Sequence, residues 1–346
     1  MSAATRFVTA QDPAVTFTGR IQKLQDGAVR YDWVGVYAQL AFTGPSINVD
    51  ISETGRSFHH VFIDGKWVKK IEVTGKDRHT VVLATGLKGG QHTLKLQRCT
   101  EGEYGCTTLY GFNVSHSSKL AAVPRKERLI EVFGDSYSAG FGAYAPKKDW
   151  KFKLEEEDVN RAYESVVARY FDADLVVEAH SGRGIVRNIF DKAQTSKKTM
   201  GTRASLVFDD ADTISYKFDQ YKPDLVLINL GTNDFSDPSV PRPNQYVKGM
   251  LDLINLLRSH FPDVKVICVM PHTANDYLTL AMNQLRERIR GMKGVYMTHP
   301  MNNVLADPKD YGAGHPNVVG HRKIAMTLIP LVSTVMDWPL NDRAVE

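Results

Sequence analysis

Apolar and polar positions alternate in short runs along the first 115 residues or so. AVTFTGRI, VGVYAQLAF, SINVDIS, HHVFIDGKWV, HTVVLATGL, QHTLKLQ and TTLYGFNV are rich in β-branched and aromatic residues, and Gly, Asp, Asn or Pro separates them. Asp64 and Gly65, inside VFIDGKWV, tolerate the positive φ of a type I′ turn and so predict a hairpin. About seven or eight strands without a helix predict a two-sheet β-sandwich of jelly-roll-like form.

The period changes beyond SHSSKLAAVPRKER, a polar, basic stretch that reads as a linker. RLIEVF, ADLVVEA, DLVLINL, VKVICVM and GVYMT are short apolar strands. Between and after them lie amphipathic stretches: NRAYESVVARYF, QYVKGMLDLINLLRSHF, NDYLTLAMNQLRERIRG and a last one from about 317 to 336. Strands alternating with helices predict a parallel five-stranded sheet covered on both faces, a three-layer α/β/α unit. The domains expected are a sandwich over 1–118, a linker over 119–127 and the α/β unit over 128–346.

Composition narrows the function. A chain of 346 residues has room for two cores, and 42% hydrophobic with 24% charged residues is ordinary for a globular protein. The net charge of +4 is small and its basic residues are scattered, which does not call for nucleic acid. No apolar run reaches the roughly 18 residues of a membrane span. MSAATRFVTA lacks the order of a signal peptide, so the protein stays in the cell or lost its signal before residue 1. Cys99 and Cys106 either close a small loop or, like Cys268, stand as free thiols; no Cys/His group has zinc spacing.

Ligands of such sheets sit at the carboxyl ends of the strands, and the residues there are unusual. Gly134, Asp135 and Ser136 follow the first strand, His180 to Gly184 (HSGRG) the second, and Gly231, Thr232, Asn233 and Asp234 the third; His315 lies in YGAGHPN before the last helix. Gly-Asp-Ser alone is ordinary turn composition. Together the four loops supply what acyl transfer needs. Ser136 offers a hydroxyl, His315 a base, and the backbone N–H groups of Ser136 and Gly182 with the Asn233 amide can meet an oxyanion. The G-x-S-x-G elbow and a dinucleotide fingerprint are both absent.

The order GDS, SG, GTND and a late GHPN resembles the SGNH (GDSL-type) hydrolases. With a β-rich first domain ending in QHTLKLQRCTE…LYGFNV, nearly the whole chain is similar to carbohydrate esterase family 2. The resemblance implies an acetyl esterase acting on polysaccharides such as xylan or mannans. It needs no metal or organic cofactor, and its nucleophile would be Ser136, its base His315, and its oxyanion donors Ser136, Gly182 and Asn233. It also implies an acetylated carbohydrate as partner and a secreted or envelope location, with the cytoplasm as the alternative. The oligomeric state is not legible.

Where the family commonly carries Asp-Trp before the histidine, this chain has Ala313 and Gly314. Either Asp310 reaches back to orient His315, or a backbone carbonyl does so and Ser136 and His315 form a dyad. The missing tryptophan removes an aromatic wall against the sugar.

Other residues have plainer expectations. His321 reads as a partly exposed or capping residue early in the last helix, and Asp234 as a tie within its own loop. His59, His60 and Trp67 suit packing or surface positions on the sandwich; Tyr137 and Phe141 suit the pocket wall beside Ser136. The acidic run 155–158 suits the N-terminal end of a helix. A lipase or thioesterase would reveal itself by preferring long acyl chains, and a glycan-binding protein with a secondary hydrolase domain by binding through 1–115.

Overall fold

The computed structural model describes residues 4–211, 214–237, 242–301 and 303–346. The chain divides into two compact units. One runs through Arg125 and takes in Val207–Ile214; the other comprises Lys126–Leu206 and Ser215–Glu346.

The first unit is a β-sandwich of two six-stranded sheets, antiparallel throughout. Val49, Ile51, Val61, Leu94, Leu96 and Phe112 are fully buried in its core. Asp64 and Gly65 have φ of 52° and 73°, and Arg56–Ile63 pairs with Lys66–Thr74 across them, as the hairpin signal requires. Four strands beyond the expected ones are Thr5–Thr9, Gln22–Lys23, Val29–Tyr31 and Leu120–Ala121. They are too short to show a period of two, and pairing with longer strands recruits them. Leu120–Ala121 pairs with Tyr37–Thr43, so strand pairing continues into the stretch expected as linker.

Val207–Ile214 has no signal in the sequence. Asp32 holds it, accepting from the backbone N–H groups of Asp209 (2.7 Å) and Asp210 (3.0 Å), while Gly102 N–H donates to the Asp209 carboxylate at 3.0 Å. Burial, and then the charge of Asp209, push the Asp32 carboxyl up to about 7. Cys99, Cys106 and Cys268 are free thiols.

The second unit contains a parallel five-stranded sheet in the order Ala173–Ala179, Arg128–Gly134, Leu225–Asn229, Lys265–Cys268 and Val295–Met297. The chain steps to one side of Arg128–Gly134 first and then runs to the other. Right-handed crossovers therefore put the helices on opposite faces. Tyr163–Tyr170 accordingly packs with Val318–Met336, and Pro243–His260 with Asp276–Ile289. The strand order reverses at Arg128–Gly134, and the crevice at such a reversal is where these sheets bind ligands. No helix among the described residues is long and apolar enough to cross a membrane.

Candidate active site

Gly134 pairs with both Ala179 and Asn229, so the ends of three strands are level. The loops carrying Ser136, Gly182 and Asn233 all leave from that line. Ser136 begins a one-turn helix, Ser136–Ala139, which Asp135 caps by accepting from Tyr137 N–H at 3.1 Å. Ser138 Oγ occupies the space a Cβ at position 134 would need, which is why glycine precedes Asp-Ser here. Ser138 Oγ also bonds the Tyr163 hydroxyl at 3.0 Å and ties the turn to the helix behind it.

His315 approaches on a different element. Tyr311–Gly312 and His315–Pro316 form a two-stranded ribbon, and Ala313 and Gly314 between them both have positive φ, 51° and 78°. That is the pattern of a two-residue type I′ turn, with alanine held in a conformation that glycine adopts more easily. His315 Nε2 lies 2.8 Å from Ser136 Oγ, and Nδ1 lies 3.1 Å from the carbonyl oxygen of Ala313. A carbonyl can only accept, so Nδ1 carries the proton. Nε2 is then left as the acceptor facing the serine hydroxyl. Burial lowers the pKa of His315 from its ordinary value, and the Ala313 carbonyl opposes this in part.

Asp310 does not reach His315. It is buried, and both its oxygens accept from Lys323 Nζ at 2.7 Å. Of the two ways to orient the imidazole, the backbone carbonyl is the one present.

Gly182 has φ +77°, and a Cβ there would stand 2.9 Å from Ile189 Cγ2. Asn233 is 4% exposed; its Nδ2 donates to the Arg183 carbonyl at 2.9 Å and lies 3.2 Å from Asp135 Oδ2. The amide thus links the second and third loops to the residue before Ser136. Asp234 is fully buried and accepts from the N–H groups of Ile185, Val186 and Arg187 at 2.8 to 3.0 Å. It therefore ties down the loop after the second strand rather than its own. Burial raises its carboxyl to about 6, against the pull of those N–H groups.

Tyr137 and Phe141 flank His315, with ring centroids 5.4 and 4.5 Å from the imidazole, and Phe152 stacks on Phe141 at 3.7 Å. His272 was not singled out from the sequence, although it follows the fourth strand at the same edge. It is 7% exposed, with its ring 5.2 Å from Tyr137 and 5.9 Å from Tyr311, and its Nε2 has no hydrogen-bond partner among the described residues. Burial first and His315 second push its pKa down to about 4.

Two plainer expectations need adjustment, and a third, packing or surface positions for His59, His60 and Trp67, holds. His321 is neither exposed nor a cap: it is fully buried in the first turn of Val318–Met336, stacked on Tyr163 at 6.4 Å, and Asn317 caps the helix. The 155–158 run ends one 3₁₀ turn, Leu154–Glu156, and leads into the next, Val159–Arg161, ahead of Tyr163–Tyr170, and Glu156, Glu157 and Asp158 are buried. His59 and His60 are buried in the sandwich, and Trp67, 57% exposed, donates to His60 Nδ1 at 2.7 Å.

Residues 17–124 match the carbohydrate esterase 2 N-terminal domain, and residues 132–323 match the GDSL-like lipase/acylhydrolase family. The cellulase/esterase CelE of Acetivibrio thermocellus is 26% identical over 344 residues, 94% of this chain and 40% of that protein. An acetylxylan esterase / glucomannan deacetylase of Cellvibrio japonicus is 31% identical over 210 residues, 60% of this chain and 56% of that protein. The chain thus spans about half the length of these two relatives. The solved structure of a family two carbohydrate esterase from Clostridium thermocellum, in complex with cellohexaose, superposes with a TM-score of 0.85 at 26% identity, covering 94% of this chain and 100% of that one. The chain belongs to the GDSL-like lipase/acylhydrolase family and carries, ahead of that domain, the N-terminal domain of carbohydrate esterase family 2.

Proposed function

We propose that this protein is a serine esterase that removes O-acetyl groups from polysaccharide through an acetyl-Ser136 intermediate. The 2.8 Å bond between Ser136 Oγ and His315 Nε2, with Nδ1 committed to a backbone carbonyl, carries this reading. Ser136 Oγ attacks the acetyl carbonyl carbon as Nε2 takes the hydroxyl proton. The tetrahedral intermediate collapses, the bond to the sugar oxygen breaks, and Nε2–H passes its proton to that oxygen. Water then attacks the acetyl-serine by the same route and releases acetate.

The developing oxyanion would be met by the backbone N–H groups of Ser136 and Gly182 and by Asn233 Nδ2, each worth about 3 to 4 kcal/mol in the transition state. The 3.2 Å contact of Nδ2 to Asp135 is the longer of its two, and it is the one an oxyanion would compete with. After proton transfer the imidazolium faces the Ala313 carbonyl dipole in place of a carboxylate, so the pair works as a dyad.

The names of the two relatives, a cellulase/esterase and an acetylxylan esterase / glucomannan deacetylase, support acetylated polysaccharide as the substrate class, and a polymeric substrate is in keeping with action outside the cell. The test is Ser136→Ala. Acetate release from an aryl acetate and from acetylated glucomannan should both vanish, and undiminished turnover of either ends the proposal.

A further inference from the structure

The surroundings of Ser136 carry a charge that a neutral sugar does not call for. Two loops of the second unit are built onto the proposed catalytic residues. The 146–153 loop is tied to the His315 hairpin: Ala313 N–H donates to the Lys147 carbonyl at 2.9 Å, and Phe152 stacks on Phe141, whose ring is 4.5 Å from His315. Lys148 Nζ sits 4.6 Å from the ring centroid of Tyr311, which opens that hairpin. The 182–198 loop is tied to Gly182, since Ile189 N–H donates to its carbonyl at 2.8 Å, and Arg183 Nη1 donates to the Lys198 carbonyl at 3.1 Å.

Both loops are basic on their exposed side. The first presents Lys147, Lys148, Lys151 and Lys153 against exposed Asp149 and Glu155; the second presents Lys192, Lys197 and Lys198 against exposed Asp191. Asp149 answers Lys147 at 3.3 Å. The nearby Glu156 is turned inward, accepting the Trp150 indole N–H at 2.7 Å and the Lys153 backbone N–H at 3.0 Å. The exposed cations of the two loops, seven lysines, exceed their three exposed acids by four. The phenol ring under Lys148 attracts the ammonium without neutralising it, so the charge remains available to a ligand.

Resting on the esterase reading above, we infer that the substrate is an acetylated polysaccharide bearing uronic-acid carboxylates. The acetylated unit enters at Ser136 while carboxylates of neighbouring sugars meet the lysines of the two loops. Lysine suits this role, because its ammonium is a mobile point charge that meets a repeating anion without demanding one geometry.

The experiment compares acetate release from acetylated polygalacturonate and from acetylated glucomannan of matched acetyl content. At roughly 0.02 M salt, kcat/KM should favour the polyuronate by about tenfold or more, and the ratio should approach one at roughly 0.5 M salt as screening shortens the reach of the lysines. Lys151→Glu and Lys192→Glu should each lower the ratio at low salt; a folding defect would depress both substrates alike and leave the ratio unmoved. A ratio near one at low salt, a ratio indifferent to salt, or charge-reversed variants with an unaltered ratio each overturn the inference while leaving the glucomannan esterase intact. Turnover of an aryl acetate without acetate release from either polysaccharide overturns both readings.

Discussion

Nδ1 of His315 donates its proton to the carbonyl oxygen of Ala313, 3.1 Å away, and not to a carboxylate. The nearest candidate in sequence, Asp310, has both oxygens on Lys323. The backbone of a two-residue turn does the orienting that a side chain does in a Ser-His-Asp triad.

It follows that Asp310 matters to the fold more than to the chemistry. Asp310→Asn should lower kcat by less than about threefold, where losing a triad carboxylate costs about ten-thousand-fold. Stability should fall by about 1 to 3 kcal/mol, because a buried charge-assisted contact is lost. Urea unfolding and kcat on one preparation separate the two effects, and a collapse of kcat would return the orienting role to Asp310.

The pH dependence follows from the burial of His315. The base must be neutral, so kcat/KM rises with pH through the imidazole pKa, and burial holds that pKa below its ordinary 6.5. The acid limb should therefore have its midpoint below pH 6.5. A midpoint at or above that value would contradict the environment described for the ring.

Position 312 should be intolerant of a side chain while position 314 is not. A Cβ at Gly312 would fall on the carbonyl oxygens of Ala145 and Gly142, and neither can rotate away. The hairpin must shift, and a displacement of about 1 Å can cost on the order of a hundredfold in rate. Gly314 has open space around it and only its φ of 78° to restrain it, so Gly314→Ala should cost about 1 to 2 kcal/mol of strain and little kcat. Comparing kcat and melting temperature for the two variants tests the contrast.

Asp234→Ala removes the acceptor for three buried or half-buried N–H groups. The expected loss is about 3 kcal/mol or more, with faster amide exchange at Ile185, Val186 and Arg187 and a lower kcat through the Gly182 loop. Slow exchange in the variant would show that the loop is held by other contacts.

Asp32 supplies a test in the first unit. Its folded pKa of about 7 exceeds its ordinary 3.8. The associated stability is complete below about pH 3.8 and is lost as pH rises through 7, because the folded state binds the extra proton between those values. Exchange at the Asp209 and Asp210 amides should quicken as pH rises across that window, beyond the intrinsic pH dependence of exchange, and Asp32→Asn should remove the excess.

The loops of the proposed site were legible because each follows an apolar strand and announces itself with glycine, as at Gly134, Gly182 and Gly231. Strand pairing then does the rest: the register of Gly134 with Ala179 and Asn229 brings the loops level. What sets the orientation of His315 was not legible, since a backbone carbonyl leaves no trace in side-chain identity. His272 was missed because a lone histidine after a strand is unremarkable until Tyr137 and Tyr311 close around it. His321 was misjudged because helical position alone does not say which face is covered, and Tyr163 covers its face. The short strands such as Val29–Tyr31 exist through their partners, which no local pattern records.

Val207–Ile214 clusters with the sandwich although more than eighty residues of the other unit precede it in the chain. During synthesis the sandwich therefore cannot bury Asp32 against its final partners until residue 214 has been made. By then the strands bearing Ser136 and Gly182 already exist, while those leading to Asn233 and His315 do not. The two units are interleaved in time, and a truncation that ends the protein at Arg125 yields a sandwich with an acidic, unfilled seat at Asp32 rather than a finished domain.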